Sequence, residues 1–295
     1  MKIGIIGYGS MGKMLLWKFT EQDFISKQNL YVYNRTIEKL DEAKEIAQIV
    51  SSKELASFCD FIFICVRPAD IQIVLEEIKE SLKEDALVIS LNGSISFEKI
   101  KATLDCKTAK VIPSLTAEIG RSQTLVCFNE KVDSKDKCAL KELLASIGDI
   151  IELPENEMGM GSELVSCMPG FIASIFDVIC NSAKKHTQIP DEQIVRMVLQ
   201  TLSATGELML KNDMTFEDVV TRVATPGGIT EEGTKVIYAD FPGTADLLFE
   251  KTLEKRRKTA GDIQRRFLKA ERYLTGDGIH TGYNKGSRLK RGKNI

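Results

Sequence analysis

Short apolar runs alternate with longer amphipathic stretches through the first half of the chain. The runs fall at 2–7 (KIGIIG), 30–34 (LYVYN), 61–66 (FIFICV), 86–91 (ALVISL), 109–113 (AKVIP), 124–128 (TLVCF) and 150–153 (IIEL). Between most of them, as in SMGKMLLWKFTEQ and TIEKLDEAKEIAQIV, apolar residues recur at helical spacing. The alternation predicts an α/β fold, a Rossmann-type doubly wound sheet of parallel strands joined by right-handed helical crossovers.

Beyond Pro154 the strand-sized runs stop and helical periods take over, at 160–185, 190–211, 215–224, 230–239 and 242–274. Pro190 suits a first helical turn, and Pro242-Gly243 predicts a break before the last helix. The expected organisation is a nucleotide-binding domain over 1–155, an all-α domain over 156–275 and a basic, disordered tail over 276–295.

Composition narrows the classes. The chain has 295 residues, 43% hydrophobic and 28% charged, with a net charge of −2. That gives no global pull toward nucleic acid. Glycines interrupt the N-terminal apolar run before a signal core forms, and the apolar runs are far shorter than a membrane span, so a cytoplasmic protein without membrane contact is expected. The seven cysteines include no C-x-x-C pair and read as reduced thiols. With His186 and His280 the only histidines, a histidine-rich metal site is not available and no metal is expected.

Gly7-Tyr8-Gly9-Ser10-Met11-Gly12 is a G-x-G-x-x-G that ends the first strand and opens the first helix. In that context Gly7 permits the turn, Gly9 lets backbone approach a pyrophosphate, Gly12 allows close helix packing, and amides at the helix start, from Ser10 and Met11 onward, hold the anion. The competing reading is a glycine turn without a ligand. Where an acid would bind the ribose of NAD, the second strand ends in Asn34-Arg35-Thr36, which favours NADP, with NAD the alternative. Val66, Arg67 and Pro68 follow the third run at the ligand edge of the sheet, although Arg67 also reads as a surface charge. In the helical half, Pro169 interrupts ELVSCMPGFIASIF, which reads either as a ligand-side gap or as a packing kink. Thr225-Pro226-Gly227-Gly228 precedes Thr230-Glu231-Glu232, predicting bare amides beside a helix start that Thr230 caps, or else a plain turn.

In this order the motifs resemble those of pyrroline-5-carboxylate reductases across residues 1 to about 274, and T-P-G-G-I-T matches that family's most specific motif in full. The resemblance implies reduction of the C=N bond of 1-pyrroline-5-carboxylate to L-proline with NADPH or NADH, and a homodimer or a higher oligomer up to a decamer. It implies a small cyclic imine carboxylate held by Thr225, Gly227, Gly228, Thr230 and Pro169, with the Thr230 hydroxyl as the catalytic group, and the nicotinamide near Val66, Pro68 and Asn92. The chain departs from the family pattern at Pro113-Ser114-Leu115-Thr116, usually P-N-T-P, and at Ser166-Cys167-Met168-Pro169-Gly170-Phe171, usually G-S-G-P-A-[YF]. In these stretches it resembles more closely a late-competence-operon paralogue group, which implies a second reading, an NADP-binding regulatory protein with altered catalysis. A β-hydroxyacid dehydrogenase, the third reading, needs a lysine base on the interdomain helix, and none occurs there before Lys184.

Overall fold

The computed structural model describes residues 1–21 and 25–274. The predicted tail at 276–295 lies outside the described residues. Eight strands form one sheet: β1 (Ile3–Ile6), β2 (Leu30–Tyr33), β3 (Gln48–Ile49), β4 (Phe61–Ile64), β5 (Leu87–Ser90), β6 (Lys107–Ile112), β7 (Ser122–Phe128) and β8 (Gly148–Glu152), ordered β3-β2-β1-β4-β5-β6-β7-β8. Helices α1 (Ser10–Thr20), α2 (Ser52–Phe58), α3 (Ile71–Ile78), α4 (Phe97–Thr103) and α5 (Ser134–Ala145) accompany it. Side chains alternate across each strand, so Phe61 and Phe63 join Ile3, Ile5 and Leu16 in one core, while Ile62 and Ile64 join Ile6, Ile71 and Ile100 in the other. Chain order reverses between β2-β1 and β4, which opens a crevice at the strands' carboxyl ends where such sheets take ligands.

Two predictions for this half are corrected. β7 runs antiparallel to β6, with Ala109 opposite Phe128, because the connection over 113–121 is too short for a helical crossover and holds only a 3-10 turn at Leu115–Ile119. The stretch expected as an α-helix after β2 is a 3-10 helix, Ile37–Glu45, followed by the unforeseen two-residue β3. Its rise of about 2.0 Å per residue covers a longer crossover than the same residues would in α form.

The helical half contains α6 (Met158–Ser162), α7 (Met168–Ala183), α8 (Asp191–Asn212), α9 (Phe216–Val223) and α10 (Ile229–Leu274). Between α6 and α7, Glu163–Cys167 is π-helical. Pro169 has no N–H to give to the carbonyl four residues back, and the widened turn absorbs that loss. The predicted break at Pro242-Gly243 does not occur: α10 runs through it for 46 residues. Residues 239–244 are exposed, so the carbonyl that Pro242 leaves unpaired turns to solvent. The segment Glu155–His186 is long and apolar enough, by length and composition, to cross a membrane. That corrects the sequence reading, which considered only strand-sized runs. Only 17% of its most apolar window is buried.

Three contacts brace the junction, of which the last joins the helical half to the sheet. Lys110 on β6, almost fully buried, pairs with Glu155 and lies 4.8 Å over the Phe97 ring, while Glu155 also accepts the Phe97 N–H at 2.8 Å. Arg256 of α10 pairs with the buried Glu163. Farther along α10, Ile263 is only 3% exposed and packs into the sheet-face core of Ile71, Ile95 and Ile100.

Candidate active site

The glycine turn has the geometry of a nucleotide seat. Gly7 sits at φ +102°, where a Cβ would lie 2.7 Å from the Cys65 carbonyl oxygen, and a Cβ on Gly12 would lie 2.0 Å from that of Gly7. Those two glycines are required by packing. Gly9 is different: its φ is −89°, and a Cβ there would meet nothing within 4 Å. The space in front of Gly9 is open because the backbone faces the crevice. Gly9 caps α1 without a side-chain cap, and the first turn carries no acid, so the amides of Ser10 and Met11 keep the helix's positive end available to an anion.

A cleft of about 430 Å³ opens there, lined by Gly7, Gly9, Asn34, Arg35, Thr36, Lys39, Val66 and Arg67 among others. The sequence-predicted residues of three separate strand ends thus meet in one place. Asn34 acts as a strut: its Oδ1 accepts the Tyr8 N–H at 3.0 Å and its Nδ2 donates to the Thr36 carbonyl at 2.8 Å, tying the glycine turn to the end of β2. Arg35 is exposed and makes no ion pair with a described residue, which leaves its guanidinium for a ligand. Arg67 pairs with Asp70 at 3.2 Å, and Pro68 starts the 3-10 turn behind it. Tyr8 shares the cleft wall, and its hydroxyl is pushed up by burial against an opposing hydrogen bond from Trp17. Asn92 lies outside the cleft lining, just past the carboxyl end of β5, where its Oδ1 accepts the Ser94 N–H at 2.8 Å. Lys39 was missed by the motif reading, although its place one helical turn past Arg35 was a usable signal.

The second predicted cluster lies elsewhere. Thr225 to Gly228 form a tight turn in which the Gly228 N–H reaches the Thr225 carbonyl at 2.8 Å, with Gly227 at φ +75°. A Cβ on Gly228 would sit 2.5 Å from the Thr225 Oγ1, so the second glycine is fixed by the turn itself. The Gly227 N–H donates to the Glu231 carboxylate at 2.8 Å, which holds that carboxyl below its usual range with help from Lys235. Two expectations change here. The helix begins at Ile229, so Thr230 lies in its first turn and is not its cap, and the amides of Gly227 and Gly228 are already engaged. The loop nevertheless binds a carboxylate oxygen, and the first-turn amides of Ile229 and Thr230 remain beside it.

None of residues 225–230 lines the nucleotide cleft. Thr230 and Ile229 are exposed, Ile229 to 95%. Thr230 and Arg256 lie on one continuous helix about 26 residues apart, roughly 39 Å at an α-helical rise. Arg256 in turn packs beside Gly93, just past the carboxyl end of β5. The loop therefore stands far from its own chain's cleft. Pro169, half-buried at the start of α7, adjoins the π turn that carries Glu163 and Cys167. Lys184 lies beyond the end of α7 and pairs with Asp191 at 2.9 Å, which removes it as a base over the cleft.

Comparison with known proteins places these features together. Residues 2–93 match the family described as NADP oxidoreductase coenzyme F420-dependent, and residues 155–259 match pyrroline-5-carboxylate reductase dimerisation. Pyrroline-5-carboxylate reductase 3 of Bacillus subtilis (strain 168) is 31% identical over 258 residues, covering 86% of this chain and 95% of that protein. ComE operon protein 4 of the same organism is 28% identical over 271 residues, covering 90% and 99%. A Plasmodium falciparum pyrroline carboxylate reductase solved with NADP bound superposes with a TM-score of 0.80 at 26% identity, over 88% of this chain and 98% of that one. The fold agrees with that of the solved relative, and the chain belongs to the pyrroline-5-carboxylate reductase family of NAD(P)H-dependent oxidoreductases.

Proposed function

We propose that the protein reduces 1-pyrroline-5-carboxylate, or a closely related cyclic imine carboxylate, to the saturated ring amino acid with NADPH. The observation that carries this reading is the open face of Gly9 beside the Arg35 guanidinium, unpaired among the described residues, a seat for a pyrophosphate with a cation placed for a 2′-phosphate. When bound, NADPH supplies the hydride. The chain's own groups do the rest: first-turn amides near Thr230 hold the substrate carboxylate, and the Thr230 hydroxyl orients the ring nitrogen, whose proton comes from solvent. Thr225 and Gly228 fix the loop, and Pro169 borders the ring.

The working site takes its substrate loop from a second copy. The helical domain supports this, because Leu210, Phe216 and Ile229 stand largely exposed and the groove between α7 and α8 is lined by Phe176, Ile179, Met197 and Leu202. The same pairing covers the apolar Glu155–His186 stretch. The domain limits that go with it are 1–155 for the nucleotide half and 156–275 for the pairing half.

Co-expression of Gly9→Asp with Thr230→Ala tests the shared site. Each variant alone loses turnover, one through charge at the pyrophosphate seat and the other, by about 10 to 1000-fold, through the substrate. In a random mixture of dimers about a quarter of the sites receive both intact halves, so about a quarter of wild-type activity returns. Activity no higher than that of the parents places both halves in one chain and refutes the arrangement.

A second reading rests on Leu115, 54% exposed where the family pattern carries a polar residue, and on the similarity to ComE operon protein 4. It holds the protein to be an NADP-binding regulator. Turnover with pyrroline-5-carboxylate on the order of 1 to 1000 per second supports the enzyme. NADPH binding without turnover supports the regulator.

A further inference from the structure

Glu163 is the one acid in the apolar run GMGSELVSCMPGF, and neither proposed role uses it. Its Oε1 accepts two hydrogen bonds from Arg256, from Nε at 3.0 Å and from one terminal nitrogen at 2.7 Å, and that same nitrogen reaches the Ser162 Oγ at 3.1 Å. Its Oε2 is buried and has no hydrogen-bond partner among the described residues. The other terminal nitrogen of Arg256 makes no hydrogen bond to a described residue and lies 3.7 Å from where a Cβ on Gly93 would be. Gly93 follows Asn92 at the carboxyl end of β5. An ion pair deep in the junction thus offers one spare acceptor and one spare donor beside the sheet's ligand edge. Cys167 lies against the same carboxylate, and its thiol is pushed up by burial and then by Glu163.

Resting on the NADPH reading above, we propose that Glu163 and Arg256 recognise the primary carboxamide at the nicotinamide end of the cofactor. A carboxamide carries one acceptor oxygen and one donor NH₂, which match the free Arg256 nitrogen and the Glu163 Oε2. A carboxylate carries acceptors only and would face the buried Oε2 with like charge, so the substrate's carboxylate does not fit this pair. The pair also explains why a buried acid is kept there: a ligand satisfies the oxygen that has no hydrogen-bond partner among the described residues.

Binding of three ligands to wild type and to Glu163→Gln tests the proposal: NADPH, its 3-acetylpyridine analogue, in which a methyl replaces the NH₂, and 2′-phospho-ADP-ribose, which lacks the nicotinamide. Wild type prefers NADPH over the analogue by about tenfold or more, the scale of one hydrogen bond to a charged group. In Glu163→Gln the single amide oxygen stays with Arg256 and an NH₂ meets the carboxamide NH₂, so the preference falls to near one, with 2′-phospho-ADP-ribose binding unchanged. The double variant Glu163→Leu, Arg256→Met removes both charges in similar volume and keeps the fold, and it loses the preference in the same way. An undiminished preference in either variant overturns the proposal. Failure of 2′-phospho-ADP-ribose to bind wild type overturns the cofactor reading instead.

Discussion

Substituting alanine at Gly9 and, separately, at Gly12 separates a glycine kept for a ligand from one kept for packing. At Gly9 the backbone is extended and the new methyl meets no atom within 4 Å, so the apo protein has nothing to resist it. Loss of unfolded-chain freedom stabilises by about 0.4–1 kcal/mol, and alanine is a poorer N-cap by roughly 0.5–1 kcal/mol. These nearly cancel, leaving Tm within about 2 °C of wild type for a protein of this size. The methyl does stand in the open face where a phosphate must approach the α1 amides. Losing one charge-assisted hydrogen bond there costs about 1.5–3 kcal/mol, a 10 to 150-fold weaker NADPH. Gly12→Ala behaves in the opposite way. Its Cβ would sit 2.0 Å from the Gly7 carbonyl oxygen, a backbone atom that cannot swing aside. Moving α1 off the turn costs about 1–3 kcal/mol or more, so the melting temperature falls along with affinity. Thermal melts and fluorescence titration with NADPH on the two variants decide the matter. A Gly9→Ala protein that melts many degrees lower, or that binds NADPH like wild type, refutes the assignment of Gly9 to the ligand.

Three further outcomes follow from the same geometry. Arg35→Ala weakens NADPH by about tenfold and leaves NADH unchanged, and rising salt shrinks that difference because the side chain is exposed; equal effects on both cofactors in a binding titration would remove Arg35 from the 2′-phosphate. Burial alone would raise the Asp60 carboxyl, but its ion pair with Lys83 and the Lys2 N–H outweigh that and hold it below its usual range, as the Asp136 N–H and Lys107 do for Asp133 and as Lys141 and Lys137 do for Glu152. Such groups stabilise the fold above their unfolded pKa values, about 4, and the contribution is lost as pH falls through the lower folded values. Melting temperature is therefore flat from pH 7 to about 5 and falls below about 4, and a maximum near pH 4 would contradict these assignments. Among the cysteines Cys138 is exposed, while burial pushes the Cys59 thiol up to about 12. A thiol reagent on the native protein labels Cys138 first by mass spectrometry, and early labelling of Cys59 would mean that the sheet core opens.

Much of the sheet and the cofactor end was legible in the sequence. Buried strands must be apolar on both faces, so FIFI and LVIS stand out from the amphipathic helices around them, and the G-x-G-x-x-G is a local signature of a local turn. Three kinds of feature were not read. The direction of β7 turns on the short 113–121 connection, which the runs on either side already bracketed but which the strand-helix alternation elsewhere masked. The continuity of α10 through Pro242 depends on that stretch facing water, which is a tertiary fact. The Glu163–Arg256 pair joins residues some 93 positions apart, and no pattern of adjacent residues encodes such a meeting. The T-P-G-G-I-T loop shows both sides: its turn was readable, whereas its distance from the cleft follows only from the length of the helix behind it.

The docking of Ile263 into the sheet core has a consequence for how such a chain evolves. The last element returns to the first domain, so the nucleotide-binding half is not a cassette that recombination can cut out at residue 155 and join to another partner. A gene fragment ending there would encode a sheet with an unfilled slot beside Ile71 and Ile100, lacking the side chain that plugs it. Swaps between lineages should instead carry both halves together, or carry the end of α10 along with the sheet. New specificities in this lineage are then expected to arise by substitution inside an intact gene, at places such as the loop after β6 and the turn before Pro169, and not by exchange of modules.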